Sequence, residues 1–424
     1  MLTPRALNTT KNPINFCSTY LSPVPKAVPG FKALCCLFLF IAVSVLITDK
    51  AMCRRDALSI SVGGLLDLTG DHCKEGRAAY MAARKAVECL NSQGGIGDRP
   101  LELIVADTRG EPGRLLIEAG KLVEQEKVVA LLGPTSETLI PVLRNYAEAH
   151  NVPMVLTSGD DPLLPFRKKE SVSWTYSISP GLGPAIKALF REFARAGLEP
   201  VAPLVPDNAK GKRTSLWLQG YGLEYHLRIL PFQDFGLHDT DVVSQLQQFK
   251  EEGAQVIVAW GPRSWGPVLL RSAKRTGIPV AVPVQLLSSD MLKKYNGSFR
   301  LWTAAPPLLL GNGIPLSHPC AFTVNRFMKA MGKEAMGFSI EECLAAGAAW
   351  DALHLTAMGL RMSSTATHSD LRQALEDLDQ SYYGVMGVFK PRERDHSGLV
   401  PSSLIVLESG TNGWKPVIFS KRRR

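Results

Sequence analysis

VVALLGPTSETLIPVLRNYAEAHNVPMVLTS, residues 128–158, decides the fold class. VVALLGP and VPMVLTS are continuous apolar strands, and Ser136 to His150 between them has the length of a helix. A strand without polar alternation is buried on both faces, which calls for a parallel sheet covered by helices on either side. The same alternation extends towards the N-terminus. LSISVGGLL reads as a strand, Glu75 to Asn91 as an amphipathic helix, LELIVAD as a strand and Pro112 to Glu126 as a helix. NSQGGIGDRPLEL sets Gly94 and Gly95 after the first of these helices, where a left-handed cap is cheapest for glycine, and then turns into a strand.

A second series of similar size follows. SWTYSIS is a strand, Gly183 to Ala196 a helix, VAPLVP a strand and Asp241 to Glu252 a helix before AQVIVAWG; Pro267 to Arg275 is a helix, and VAVPVQLL and FRLWTAA are strands. The predicted class is therefore α/β, with two doubly wound parallel-sheet lobes joined by a hinge. Lobe 1 is expected over 56–170 and lobe 2 over 171–305, with a boundary near Ser171 because Pro162 to Lys169 is charged and contains proline. Residues 306–415 are expected to return to lobe 1 and complete both lobes, with helices around Val324–Met331, Ile340–Met358 and Leu371–Leu378 and the strand SSLIVLES. Residues 416–424 form a basic tail.

A chain of 424 residues, 45% of them hydrophobic, is long enough for two cores. Part of its net charge of +9 sits in the tails, at Arg5, Lys11, Lys26, Lys32 and Lys421 to Arg424. The body shows no gathering of Lys and Arg with interleaved aromatics, which argues against a nucleic-acid partner. Ala33 to Ile47, ALCCLFLFIAVSVLI, is uncharged and follows a basic, acid-free leader, the pattern of a signal-peptide core and short for a membrane span. Residues 1–55 are thus expected to direct export; the cleavage site is poor, with Lys50 and Met52 flanking Ala51 before Cys53, which leaves open an uncleaved anchor or a start codon placed too early. Of eight cysteines, Cys53, Cys73, Cys89, Cys320 and Cys343 lie beyond the apolar run, none in CxxC spacing. Paired His and Cys spacing is missing too, so no zinc site is expected, and a Cys320–Cys343 disulfide stays open.

Motifs for catalysis are absent. DNAKGKRTS lacks the first glycine of a P-loop and places Arg213 after Lys212; GxGxxG after the first strand, GxSxG and HExxH do not occur. No catalytic residue and no cofactor is expected, and the chain reads as a non-enzyme.

Three stretches carry a family likeness: ISVGGLLDLTG, then AAYMAARKAVECLNSQGGIGDRPLELIVADTRGEP, then VVALLGPTSETLIPVLRNYAEAHNVPMVLTSGDDPLL, spanning Ile60 to Leu164. In order and spacing they resemble the type I periplasmic binding proteins, the branched-chain amino acid and amide receptors of ABC importers. DTDVVSQLQQFKEEGAQVIVAWG, LLRSAKRTGIPV, AGAAWDALHLTA and YYGVMGVFK extend the resemblance over nearly all of the chain beyond the export segment. It implies an exported, periplasmic or membrane-anchored solute receptor whose lobes close over a small ligand of the amino acid, amide or small-carboxylate class, and whose partner is an ABC permease. A tethered sensor of the same fold and an α/β enzyme with an unrecognised site are the alternatives.

In doubly wound sheets ligands bind outside the carboxyl ends of the strands, so the loops after Leu66, Leu132 and Leu156 should face the cleft, as should those after Trp260 and Leu287. Gly133, Pro134, Thr135 and Ser136 open a helix, where N–H groups and hydroxyls can receive a carboxylate or serve as an ordinary cap. Thr157, Ser158, Gly159 and Asp160 would lie beside them, and the resemblance implies that this loop grips the ligand's head group. Asp160 stands where the family usually carries Thr, and Asp160 with Asp161 would repel a carboxylate. The family's acidic position for a ligand ammonium corresponds to Leu286, and Asp290 is the nearest acid. Trp260, Arg263 and Trp265 complete the candidates: an Arg to pair with an anion and two Trp to stack on a ring or cation, against the plain alternative of a surface Arg and core Trp. The loop from Gly70 to Gly76 is shorter than in relatives, which trims one wall of the cleft.

Overall fold

The computed structural model describes residues 59–158, 173–295, 297–410 and 413–417. The expected export segment, residues 159–172 and most of the basic tail lie outside these. Among the described residues no helix is long and apolar enough to cross a membrane.

The first sheet grows from β1 (Ile60–Leu66), which is followed by α1 (Cys73–Ser92), β2 (Leu101–Asp107) and α2 (Pro112–Gly120, continued by a π-turn over Lys121–Gln125). Next come β3 (Leu131–Leu132), α3 (Ile140–His150), β4 (Met154–Leu156) and β5 (Thr175–Ser177). The strand order is β2-β1-β3-β4-β5, all parallel. Both faces of β1, β3, β4 and β5 are buried, as the apolar runs demand, while the edge strand β2 is partly exposed. Ile60, Val62 and Leu66 point into one core with the alanines of α1, while Leu65 points into another with Leu115 and Leu143. Gly94 and Gly95 adopt φ of 97° and 70° after α1, as the turn into β2 requires.

Pairing of Thr175–Ser177 with Met154–Leu156 places SWTYSIS in the first sheet, so the chain leaves that sheet after Ser177 rather than near Ser171. The second series then runs α4 (Leu182–Ala196), β6 (Val201–Pro206), α5 (Ala209–Glu224), β7 (Gln233–Phe235), α6 (Val243–Glu251), β8 (Val256–Ala259), α7 (Gly266–Thr276), β9 (Val280–Ala281), α8 (Ser289–Tyr295) and β10 (Leu301–Ala305). α5 and β7 were not foreseen. VAVPVQLL also keeps strand form only to Ala281, because Pro283 has no N–H for the ladder and a 3-10 turn over Val284–Leu286 follows.

After β10 the chain returns to the first lobe for α9 (Ala321–Met331), α10 (Ile340–Met362), α11 (His368–Glu376) and the hairpin β11 (Tyr382–Tyr383) with β12 (Val388–Phe389). It crosses once more to add β13 (Ile405–Gly410) and β14 (Gly413–Pro416) to the second sheet, whose order is β14-β13-β10-β9-β8-β6-β7. These last two strands are antiparallel, so the second sheet is parallel only from β7 to β10. α10 starts on a capping box, with Ser339 Oγ accepting from Glu342 N–H and the Glu342 carboxylate accepting from Ser339 N–H. It lies along α1 through small residues on both helices, among them Ala82, Ala86, Ala345 and Ala349, which allow a close approach. Cys73, Cys89, Cys320 and Cys343 are free thiols, which removes the Cys320–Cys343 disulfide.

Three chain crossings thus join the lobes, after Ser177, after Ala305 and between Phe389 and Ile405. Two buried polar groups brace them. His396, in the third crossing, stacks on Tyr176 at 4.2 Å and places its ring nitrogens 3.1 Å from the Thr175 carbonyl and 3.0 Å from the Glu376 carboxylate. Asp351, fully buried on α10, accepts hydrogen bonds from the Tyr382 hydroxyl at 2.7 Å and from the N–H groups of Val385 at 2.9 Å and Met386 at 2.7 Å. Any side chain at Gly384 would collide with this carboxylate.

Burial pushes the Asp351 carboxyl up to about 7, against the pull of its three donors. The folded state therefore holds this proton more tightly than the unfolded chain does. Stability contributed by this group is full below about pH 4 and is lost as pH rises to about 7, by at most roughly 1.4 kcal/mol per pH unit. Urea unfolding across that window is expected to show this decline in the wild type and its loss in Asp351→Asn. Asp351→Ala, which strands three buried donors, is expected to cost about 3 kcal/mol or more at any pH.

Candidate functional site

In the second sheet the parallel part runs β7-β6-β8-β9-β10, the same winding as β2-β1-β3-β4-β5 in the first. The connections from β6 and β8 leave in opposite directions, so the loops at their carboxyl ends part and open a crevice. A cavity of about 260 Å³ lies there. Its walls include Pro206 at the end of β6 and Asn208 after it, Leu237 after β7, Trp260 to Arg263 after β8, and Pro283 and Gln285 after β9. Glu137 reaches it from the loop after β3 of the first lobe, and Pro180 and Leu182 from the first crossing. That volume falls just below the roughly 300–1,000 Å³ usual for ligand sites.

α5 supplies one wall. Asn208 caps it, its side chain accepting from Gly211 N–H at 2.9 Å, and Lys210, Arg213, Thr214 and Trp217 then recur on one helical face that borders the cavity. Facing them, Arg263 is held in a 3-10 turn over Arg263–Trp265, with Nε donating to the Gln285 carbonyl at 2.9 Å. Its Nη1 lies 3.7 Å from Oε1 of Glu75, on the first turn of α1 in the other lobe. Gln285 Nε2 in turn donates to the Pro180 carbonyl at 2.9 Å. Arg263 thus connects the second lobe's cavity wall to the first lobe and, through Gln285, to the hinge.

The residues singled out in the sequence divide sharply. Trp260 and Arg263 border the cavity. Trp265 does not: it is buried and stacks on Phe235 with centroids 3.5 Å apart, in the core of the second lobe. Asp290 points away into solvent, its side chain 96% exposed and 3.9 Å from Lys293, and Leu286 is buried. Thr135, Ser136 and Thr157 are buried in the first lobe's strand-end loops. Thr135 Oγ1 accepts from Asp67 N–H at 3.3 Å, Ser136 Oγ pairs with Thr138 Oγ1 at 2.8 Å, and Thr157 and Ser158 both donate to the Pro134 carbonyl. These hydroxyls tie the loops after β1, β3 and β4 together, with the Thr157 and Ser158 protons already engaged. Gly159 and Asp160 lie outside the described residues.

Lys210, Arg213 and Trp217 went unnoticed in the sequence, where DNAKGKRTS was considered only as a failed P-loop. Asn208 as a cap followed by Lys210, Arg213/Thr214 and Trp217 at helical spacing was the available signal. Glycines at 211, 220 and 222 obscured it. Among the described residues the lining brings together the Lys210, Arg213 and Arg263 side chains, the Trp217 and Trp260 indoles and, from the other lobe, the Glu137 carboxylate. No group of three or more His, Cys, Asp or Glu side chains close enough to hold a metal ion occurs among the described residues.

Comparison with known proteins places the chain in a family and supports its fold. A family model described as periplasmic binding protein matches residues 59–412. An amino acid binding protein of Pseudomonas aeruginosa is 34% identical over 118 residues, which covers 24% of this chain and 32% of that protein. A leucine-, isoleucine-, valine-, threonine- and alanine-binding protein of the same organism is 21% identical over 240 residues, 57% of this chain and 63% of that one. The matches thus span less than two thirds of either relative. Among solved structures, a Rhodospirillum rubrum protein attributed to a branched-chain amino acid ABC transporter superposes with a TM-score of 0.66 at 21% identity, over 85% of this chain and all of that one.

The division of the candidates is open to a direct check by chemical denaturation. Trp265→Ala is expected to lower stability by about 3–5 kcal/mol, as emptying a core position does. Asp290→Asn should stay within about 0.5 kcal/mol of the wild type.

Proposed function

The chain belongs to the periplasmic binding protein family, and from that premise we propose that it is the extracytoplasmic solute receptor of an ABC importer, binding a small polar ligand by closing its lobes without converting it. The carrying observation is the cavity at the carboxyl ends of β6 and β8, capped from the other lobe by Glu137 and bordered by the first hinge crossing. A ligand seated there touches both lobes at once. It therefore favours the closed arrangement by as much as it binds that arrangement better than the open one. Three crossings confine the relative motion to a hinge, because each can change its backbone angles while the sheets on either side stay intact.

The amino-acid-binding relatives support a solute role, and the attribution of the Rhodospirillum rubrum protein to an ABC transporter supports a permease partner. A permease that recognises the closed form would read ligand occupancy from the paired lobe surfaces. Neither step needs a nucleophile or a cofactor.

Small-angle scattering is the test of closure: saturation with ligand is expected to shrink the radius of gyration, and an unchanged radius at saturation overturns the hinge reading. A ligand at a hundred times its dissociation constant should also stabilise the fold by about 2.7 kcal/mol in thermal unfolding. Turnover of that ligand in the same sample would make the protein an enzyme instead.

A further inference from the structure

Resting on the receptor reading above, we infer that Gln285 selects for a hydrogen-bond donor on the solute and, through the other end of the same amide, couples that contact to the first hinge crossing. Gln285 borders the cavity from the 3-10 turn over Val284–Leu286. Its two neighbours in that turn, Val284 and Leu286, are buried, so the turn is fixed from within and the Gln285 side chain is directed outwards. Its Nε2 lies 2.9 Å from the Pro180 carbonyl and 3.4 Å from Ser179 Oγ, both in the crossing that follows β5. A carbonyl oxygen only accepts, so the nitrogen end of the amide must face it.

This orientation decides what is left for a solute. An amide has two N–H donors and one oxygen with two lone pairs. With both donors directed at the crossing, the polar atom that Gln285 keeps for the cavity is Oε1, which has no hydrogen-bond partner among the described residues and is not sealed from solvent. Oε1 accepts from an N–H or an O–H and makes no hydrogen bond to a group that has neither. Closing the lobes over a solute without a donor there strips water from a carbonyl oxygen and replaces it with nothing, the kind of loss that separates a hydrogen-bonding ligand from its isostere. Glu137 brings a second acceptor to the cavity from the other lobe.

The coupling follows from where Pro180 stands. Just past the end of β5, Ile178 N–H donates to the Leu156 carbonyl of the first lobe at 3.5 Å, and further along the crossing the Pro180 carbonyl is held by Gln285 of the second lobe. Ser179 is the residue between these two fixed points. A donor on Oε1 draws charge along the amide and makes the Nε2 protons better donors, because hydrogen bonds in a chain polarise one another. The bond to Pro180 is then stronger in the occupied cleft, and by reciprocity a crossing held at Pro180 presents a better acceptor to the solute. Arg263 is not part of this relay: its Nε is bonded to the main-chain carbonyl of Gln285, so a change of the Gln285 side chain leaves that contact in place.

Two measurements on the full chain decide the matter. The first is calorimetric and thermal-shift titration with paired probes in which methyl groups replace the donor: benzamide and N,N-dimethylbenzamide, 4-hydroxybenzoate and 4-methoxybenzoate, leucine and N,N,N-trimethylleucine. At least one parent compound is expected to bind, its methylated partner roughly tenfold weaker or worse, and this preference is expected to fall to within about twofold in Gln285→Met, which keeps the length of the side chain but has no oxygen. A purely structural Gln285 would lower both members of a pair equally. The second needs no solute: hydrogen exchange in a peptide spanning residues 177–185 is expected to be faster in Gln285→Met, and faster still in Gln285→Glu, whose carboxylate repels the Pro180 carbonyl, with no change in β1. Unchanged exchange in that peptide overturns the coupling. A methylated probe that binds as well as its parent, or a preference that survives in Gln285→Met, overturns the selection; in either case the receptor reading stands. Absence of binding by every probe overturns the selection and the receptor reading together.

Discussion

A parallel sheet buried on both faces has nowhere to present polar chemistry except at the ends of its strands, and this constraint organises the whole protein. Val62 and Leu65 on β1, and every residue of β6, are withdrawn from water, so neither face of either sheet can carry a site. Only where neighbouring connections diverge does the carboxyl edge open. Both sheets repeat the same winding, so each has one such opening, between β1 and β3 in the first and between β6 and β8 in the second. At the first, hydroxyl bonds to the Pro134 carbonyl tie neighbouring loops together, and the second holds the cavity.

Three crossings make the arrangement workable as a receptor. A single linker would let the lobes tumble, whereas three strands of chain leave essentially one way to bend. Their ends are fixed by groups that do not themselves touch the cavity: His396 binds the third crossing to the edge strand β5, and Asp351 fastens the β11–β12 hairpin to α10. Asp351 carries the burden of a desolvated carboxyl, its acidity pushed to about 7, and that burden is offset by two backbone N–H groups and a tyrosine hydroxyl that would otherwise be stranded.

Much of this was legible in the residues because the buried strands of a doubly wound sheet are unbroken apolar runs. VVALLGP, VPMVLTS, LELIVAD and VAPLVP announce themselves. Lobe membership is another matter, since SWTYSIS reads the same whichever sheet it joins, and only its partner β4 decides. Within the site, Trp260 and Arg263 were identifiable as an unusual pair after a strand, yet nothing local separated Trp260, at the cavity, from Trp265, stacked on Phe235. α5 was lost because three glycines and a cluster of cations lower its helical signal. Its formation rests on the Asn208 cap and on Leu218 packing into the core, facts of tertiary structure.

The electrostatics of the cleft explain why a receptor of this fold would carry an ion pair across its own mouth. Arg263 without a counter-ion would draw solvent ions and leave its lobe biased by whatever anion was at hand. Glu75 supplies a partner tethered to the opposite lobe, and at 3.7 Å and partly exposed this pair bridges the two halves only weakly.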